Sequence, residues 1–62
     1  MKSLLICGTI IINKTQAKNL VNRVNKLFDG SMESSVAILD IEAQLVNAGF
    51  LTWEEVELAE VA

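Results

Sequence analysis

Residues 13–28 read NKTQAKNLVNRVNKLF, and this stretch decides the fold class. Its apolar side chains recur at intervals of three and four residues, at Ala17, Leu20, Val21, Val24, Leu27 and Phe28. That spacing places them on one face of an α-helix. Asn13 or Thr15 can cap the start of this helix, and Gly30 supplies a stop. The stretch therefore predicts an amphipathic helix over about residues 14–28.

On the N-terminal side, residues 4–12 (LLICGTIII) form an apolar run without alternating polar positions. Such a run predicts a strand that is covered on both faces, with Cys7 as a small buried hydrophobe. A signal peptide or a membrane-associated segment is the alternative, although the run is far shorter than the roughly 20 residues that span a bilayer. Because a lone strand lacks a ladder partner, we expect it to pair with the same strand of a second copy.

Two more helices are predicted on the C-terminal side. Over residues 34–48 the apolar positions form two neighbouring stripes, which are Val36, Leu39, Ala43 and Val46 in one, and Ile38, Ile41, Leu45 and Ala48 in the other. So wide an apolar face predicts a central helix that packs on more than one side and ends at Gly49. Thr52 and Glu55 have the spacing of a capping box, which predicts a third helix over about residues 52–61.

The predicted fold class is mostly α with a short N-terminal β-strand, in the order β-α-α-α, and residues 1–62 form one small domain. A chain of 62 residues buries only about 60% of the surface that it exposes when unfolded. Chains of this size usually add disulfides, a metal or oligomerisation. Since 52% of the residues are hydrophobic, we expect some of them to lie in an interface, in a homo-oligomer or a stable complex with another protein.

The residue types disfavour catalysis and metal binding. One cysteine cannot form an intrachain disulfide, and the chain has no histidine, no tyrosine and no glycine-rich phosphate loop. A nucleophile beside a base is therefore missing, and we expect no enzyme, no cofactor and no metal. The free thiol and the lack of a processing signal favour the cytoplasm.

The charges are divided between the two halves of the chain. Residues 1–30 hold five bases and one acid, and residues 31–62 hold seven acids and no base, which together give the net charge of −3. A basic surface recurs at four-residue intervals, at Lys14, Lys18, Asn22 and Lys26. Its lysines at the helix start disfavour the helix slightly, which suggests a contact with an acidic partner, a phosphate backbone or another copy. A solvated outer face is the alternative.

The third helix supplies the predicted partner-binding surface. We expect its apolar anchors to be Phe50, Leu51 and Trp53. We expect the acidic residues that steer a basic partner to be Glu54, Glu57 and Glu60. Core packing of Trp53 is the alternative. In that arrangement Trp53 would contribute to stability and not directly to binding.

The order of a strand, a helix, a turn at residues 30–35 (GSMESS) and a second helix resembles the ribbon-helix-helix repressors and antitoxins over about residues 3–48. The resemblance implies a DNA-binding dimer whose paired strands enter the major groove. This strand departs from the family pattern, because Leu5, Cys7, Thr9 and Ile11 carry no charge. The net negative charge also disfavours nucleic acid.

The first functional hypothesis is a small non-enzymatic interaction protein, an inhibitor or regulator of the bacterial or phage type that binds and occludes a larger protein. The alternative from another class is a ribbon-helix-helix-like DNA-binding repressor or antitoxin dimer. A peptide that associates with membranes through residues 4–12 is the third hypothesis.

Overall fold

The computed structural model describes residues 3–60, which form a β-hairpin followed by three helices. The elements are β1 (Leu4–Ile6), β2 (Thr9–Ile11), α1 (Lys14–Lys26), α2 (Met32–Asn47) and α3 (Trp53–Glu60). The predicted class, mostly helical with a short N-terminal β element in the order β-α-α-α, is confirmed. Residues 1–2 and 61–62 of the predicted domain lie outside the described residues, and residue 61 is also the last residue of the predicted third helix.

The N-terminal run is a hairpin, so the prediction of one continuous strand over residues 4–12 is wrong. The strands pair antiparallel, with Leu4 opposite Ile11. Cys7 and Gly8 form the two-residue turn, with positive φ angles of 51° and 72°. Two positive φ angles are typical of the type I′ turn that joins tight hairpins. The turn was missed because Cys-Gly is not one of the usual Asn-Gly or Asp-Gly pairs, and it leaves Cys7 exposed instead of buried.

The hairpin changes two further predictions. Each strand has its ladder partner within the chain, so the premise of a strand-paired dimer is wrong. The sheet is also not covered on both faces, because Leu5, Ile10 and Ile12 are exposed on its outer side. The resemblance to ribbon-helix-helix proteins rested on a strand that pairs between copies, and the intrachain hairpin removes that support.

Helix α1 occupies the centre of the fold and packs against both α3 and α2. The Asn13 side chain accepts a hydrogen bond from the Gln16 backbone amide at 2.8 Å, which confirms Asn13 as the cap. The core around α1 draws on every element and consists of Ile6, Ile11, Ala17, Leu20, Val21, Leu45, Phe50, Leu51, Val56 and Ala59.

Helix α2 is peripheral, so the prediction that it is the central helix is wrong. Its second half meets the core through the fully buried Leu45, with Ile41 packed beside it. The stripe that contains Val36 and Leu39 remains exposed. At the end of α2, Gly49 adopts a φ of 85°, and the Phe50 amide donates to the Leu45 carbonyl at 3.0 Å. This Schellman-type ending turns the chain toward α3 and agrees with the predicted stop.

Helix α3 begins at the predicted capping box. The Glu55 amide donates to the Thr52 hydroxyl at 3.2 Å, and the Thr52 amide donates to the Glu55 carboxylate at 3.0 Å. Leu51 before the cap and Val56 after it are both buried, as in a hydrophobic staple. These contacts fix the direction in which α3 leaves the preceding turn.

Candidate functional site

The predicted apolar anchors of α3 divide between the core and the surface. Phe50 and Leu51 are buried in the core, so the structure does not present them as anchors on the surface. The reason is local, because Phe50 follows the glycine turn back toward Leu45 and Leu51 forms the staple. Trp53 is 47% exposed and stays available for a partner.

The predicted acidic residues of α3 do not form one free surface. Glu54 and Glu57 are exposed. Glu60 lies beside Glu42 of α2, and together with Asn25 they line a cavity of about 270 Å³. Glu60 is exposed as well, but its carboxyl group interacts with that of Glu42, so its surroundings differ from those of Glu54 and Glu57.

The basic surface predicted on α1 faces α3 of the same chain. The Lys14 ammonium lies 2.7 Å from the Glu55 carboxylate, and the Lys18 ammonium lies 4.0 Å from it. This hydrogen bond from Lys14 is the largest of the effects that lower the pKa of Glu55, and the Thr52 backbone amide adds to it. The Asn22 side chain donates to the Ala59 carbonyl at 3.2 Å. These contacts explain how α1 tolerates lysines at its positive end, because an acid of α3 neutralises them.

An open groove of about 420 Å³ lies between α1 and α3. Its lining combines amides, lysines and apolar carbons, from Lys18, Asn19, Asn22, Lys26, Glu55, Leu58 and Ala59. Of the predicted basic surface, the groove brings together Lys18, Asn22 and Lys26. Because Glu55 also lines the groove, its charge is mixed, and it does not form a dedicated anion site.

The most unusual surface of the described residues is the first half of α2. Met32 is 80% exposed, Val36 is 60% exposed and Leu39 is 57% exposed. These residues are four and three positions apart, which places them on one helix face. No core residue comes from this half of the helix within residues 3–60, because the buried positions of α2 are Glu42 and Leu45. We call the face formed by Met32, Val36 and Leu39 the α2 face.

Of the α2 face, Val36 and Leu39 belong to a predicted buried stripe, whereas Met32 falls in the predicted turn at residues 30–35, because α2 begins two residues before the predicted start at residue 34. The stripe that contains Val36 and Leu39 is one of two that the sequence predicts to be buried. The structure buries mainly the other stripe. The sequence indicates the exposure of Met32 only in part. Met32 directly follows the Ser31 cap and so lies in the first turn of α2. First-turn residues at the end of a helix can extend beyond the neighbouring helices.

Glu42 is a carboxyl group enclosed by three helices. It is only 4% exposed, and one of its oxygens accepts a hydrogen bond from the Asn25 side chain of α1 at 3.2 Å. The pKa of Glu42 is raised from 4.5 to about 7, mainly by burial and then by a hydrogen bond and charge repulsion from the neighbouring Glu60 carboxyl, while the hydrogen bond from Asn25 lowers it. Sequence analysis did not single out Glu42, which lies between the two apolar stripes of α2.

The described residues offer little for other kinds of site. Among residues 3–60 no group of three or more histidine, cysteine, aspartate or glutamate side chains is arranged to hold a metal ion. Within the same residues no helix is long and apolar enough to cross a membrane.

No protein-family model matches the chain, and neither a curated protein nor a solved structure shows a significant similarity to it.

Proposed function

We propose that this chain is a small non-enzymatic interaction protein that binds a larger protein through the α2 face and occludes the surface to which it binds. An inhibitor or regulator of the bacterial or phage type is the class that this proposal implies. The observation that carries it is the exposure of Met32, Val36 and Leu39 in a half-helix that contributes nothing to the described core.

The exposed face has the physical character of a binding site. Fully burying a valine, leucine or methionine side chain contributes about 1.5–3 kcal/mol each, so three adjacent ones supply a substantial driving force for association. Scattered apolar residues on a surface need no explanation, but a contiguous row does. The fold does not need these side chains for its own core, which supports a role outside the monomer.

We propose that the protein acts in the cytoplasm. Cys7 is a free and exposed thiol at the hairpin turn. Exposed unpaired thiols persist in reducing compartments, where disulfide formation is suppressed. A second copy of the chain is the competing prediction for the occupant of the α2 face. Light scattering measures the molar mass and so distinguishes a monomer from a dimer.

Val36→Glu is expected to abolish partner binding while leaving the fold intact. A carboxylate at the centre of the α2 face would be desolvated by any apolar partner, which costs more than the lost contact alone. Affinity capture from the source cells, followed by mass spectrometry, compares this variant with the unmodified chain. Circular dichroism checks that the helices persist.

Leu58→Glu on α3 is the matched control, because Leu58 is 67% exposed and receives the same change. A protein that the unmodified chain and the Leu58→Glu variant retain, and that Val36→Glu loses, supports the proposal. Equal retention by all three chains would show that the α2 face is not the binding surface.

A further inference from the structure

The exposed stripe of α2 has the spacing of a coiled-coil seam. Along α2 its apolar residues are separated by four, three, four and three positions, in the order Met32, Val36, Leu39, Ala43 and Val46. This alternation is the heptad pattern in which a and d side chains meet a second helix. The first three residues are exposed, while Ala43 and Val46 are half-buried toward the core. An approaching helix would therefore contact mainly residues 32–39.

One edge of this stripe is acidic. Glu33 and Asp40 directly follow the d residues Met32 and Leu39, which places them at the e positions that flank the seam of a coiled coil. With Met32, Val36 and Ala37 they line a shallow depression of about 510 Å³. In residues 3–60 the ion pairs are formed by Glu55 with Lys14 and Lys18, so within that range no basic side chain pairs with Glu33 or Asp40.

A second copy of the chain does not supply the missing cations. If two α2 helices paired antiparallel, Glu33 and Asp40 would face each other across the seam. If they paired parallel, Asp40 would face the neutral Ser35, and Glu33 would face no residue of α2, because the helix begins at Met32. Like charges across a seam disfavour pairing, whereas opposite charges select the partner.

We propose, building on the proposed function, that the occupant of the α2 face is an amphipathic helix of another protein whose apolar stripe is flanked by lysine or arginine side chains that pair with Glu33 and Asp40. The apolar stripe supplies most of the affinity, and the acidic edge selects the partner and its orientation. The proposal identifies the partner by its chemistry, a basic amphipathic helix.

Two synthetic helical peptides of three heptads test this proposal. Both carry leucine at the a and d positions, and their flanking e and g positions are lysine in one peptide and glutamate in the other. Two ion pairs that change from attractive to repulsive are worth about tenfold in affinity, so the chain should bind the lysine peptide about tenfold more tightly than the glutamate peptide. The Glu33→Lys/Asp40→Lys double variant should reverse this preference. Fluorescence titration of labelled monomeric peptides measures both dissociation constants.

The Glu54→Lys/Glu57→Lys double variant on α3 is the control, since it changes the net charge equally at exposed positions away from α2. It should keep the preference for the lysine peptide. Equal binding of the two peptides by the unmodified chain, or the same reversal in the control variant, would overturn the proposal. So would a dimer by light scattering that Val36→Glu dissociates. The capture experiment with Val36→Glu tests the proposed function separately, since it does not depend on the charge of the partner.

Discussion

Replacing Leu20 with alanine is expected to remove about half of the free energy of unfolding of the chain. Leu20 is 2% exposed at the centre of α1, the helix that packs on both of the others. Truncating a buried leucine costs about 2–5 kcal/mol, because transfer energy is lost and a cavity remains. A domain of 62 residues has a total stability of roughly 3–9 kcal/mol. Urea denaturation followed by circular dichroism measures the loss.

Leu58→Ala is the control for this prediction, because the same change is made at a leucine that is 67% exposed. Surface substitutions of this kind usually change stability by less than about 0.5 kcal/mol. If Leu20→Ala and Leu58→Ala lowered stability by similar amounts, the arrangement of the core around α1 would be wrong.

The stability of the chain is expected to fall by on the order of 2–3 kcal/mol between pH 5 and pH 8 because of Glu42. Burial is the main reason that the pKa of this carboxyl rises to about 7, from an ordinary value of 4.5. Because its pKa is higher in the folded chain than in the unfolded chain, the stabilisation is complete below pH 4.5. It is lost as the pH rises through about 7, where the buried carboxyl must ionise beside Glu60.

Glu42→Gln should remove this pH dependence and make the chain more stable than the unmodified protein at pH 8. The groups that face Glu42 are Asn25, which does not titrate, and Glu60. Two other acids do not interfere, since hydrogen bonds from Ser31 lower the pKa of Asp29 to about 2 and Lys14 lowers that of Glu55.

Urea denaturation at pH 5 and pH 8 measures the effect of Glu42. The exposed Glu57→Gln variant serves as the control and should keep the pH dependence of the unmodified chain. A free energy of unfolding that is the same at both pH values in the unmodified protein would contradict the burial of Glu42.

The three helices, the start of α3 and the end of α2 were predictable because their signals are local, whereas α2 begins at Met32, two residues before the predicted start. Thr52 and Glu55 satisfy each other's backbone amides within one turn, and Gly49 fits the left-handed position that ends α2. Such signals need no knowledge of the remaining chain. The hairpin was missed for a similar local reason, since its turn uses Cys7 and Gly8 in place of the residue pairs that usually mark a type I′ turn.

The arrangement of the helices was less predictable, because an apolar stripe does not say which neighbour covers it. Helix α2 carries two adjacent stripes, and in a chain this short the core covers mainly the stripe that contains Leu45. The wider apolar face of α2 predicts that this helix is central, but α1, whose apolar face is narrower, occupies the centre of the fold. The surplus stripe on α2 became the candidate site.

Whether the residues of each predicted surface are exposed depends on contacts between residues that are far apart in the sequence. Nothing near Lys14 in the sequence shows that Glu55 lies 2.7 Å from it, so the apparent excess of charge on α1 was read as a free surface. Phe50 and Leu51 looked like anchors beside Trp53 until the turn after α2 placed both in the core. Packing decides which residues that are far apart in the sequence come into contact, and sequence patterns describe packing only in part.

Site-specific photo-crosslinking tests most directly the claim that the α2 face binds a partner. A photoreactive residue is placed at position 36, 10 or 58, which are exposed sites on α2, the hairpin and α3. Irradiation in the source cells should join position 36 to one protein of defined mass, and positions 10 and 58 should give little or none of that product. A product formed from position 10 or 58 with none from position 36 would contradict the account.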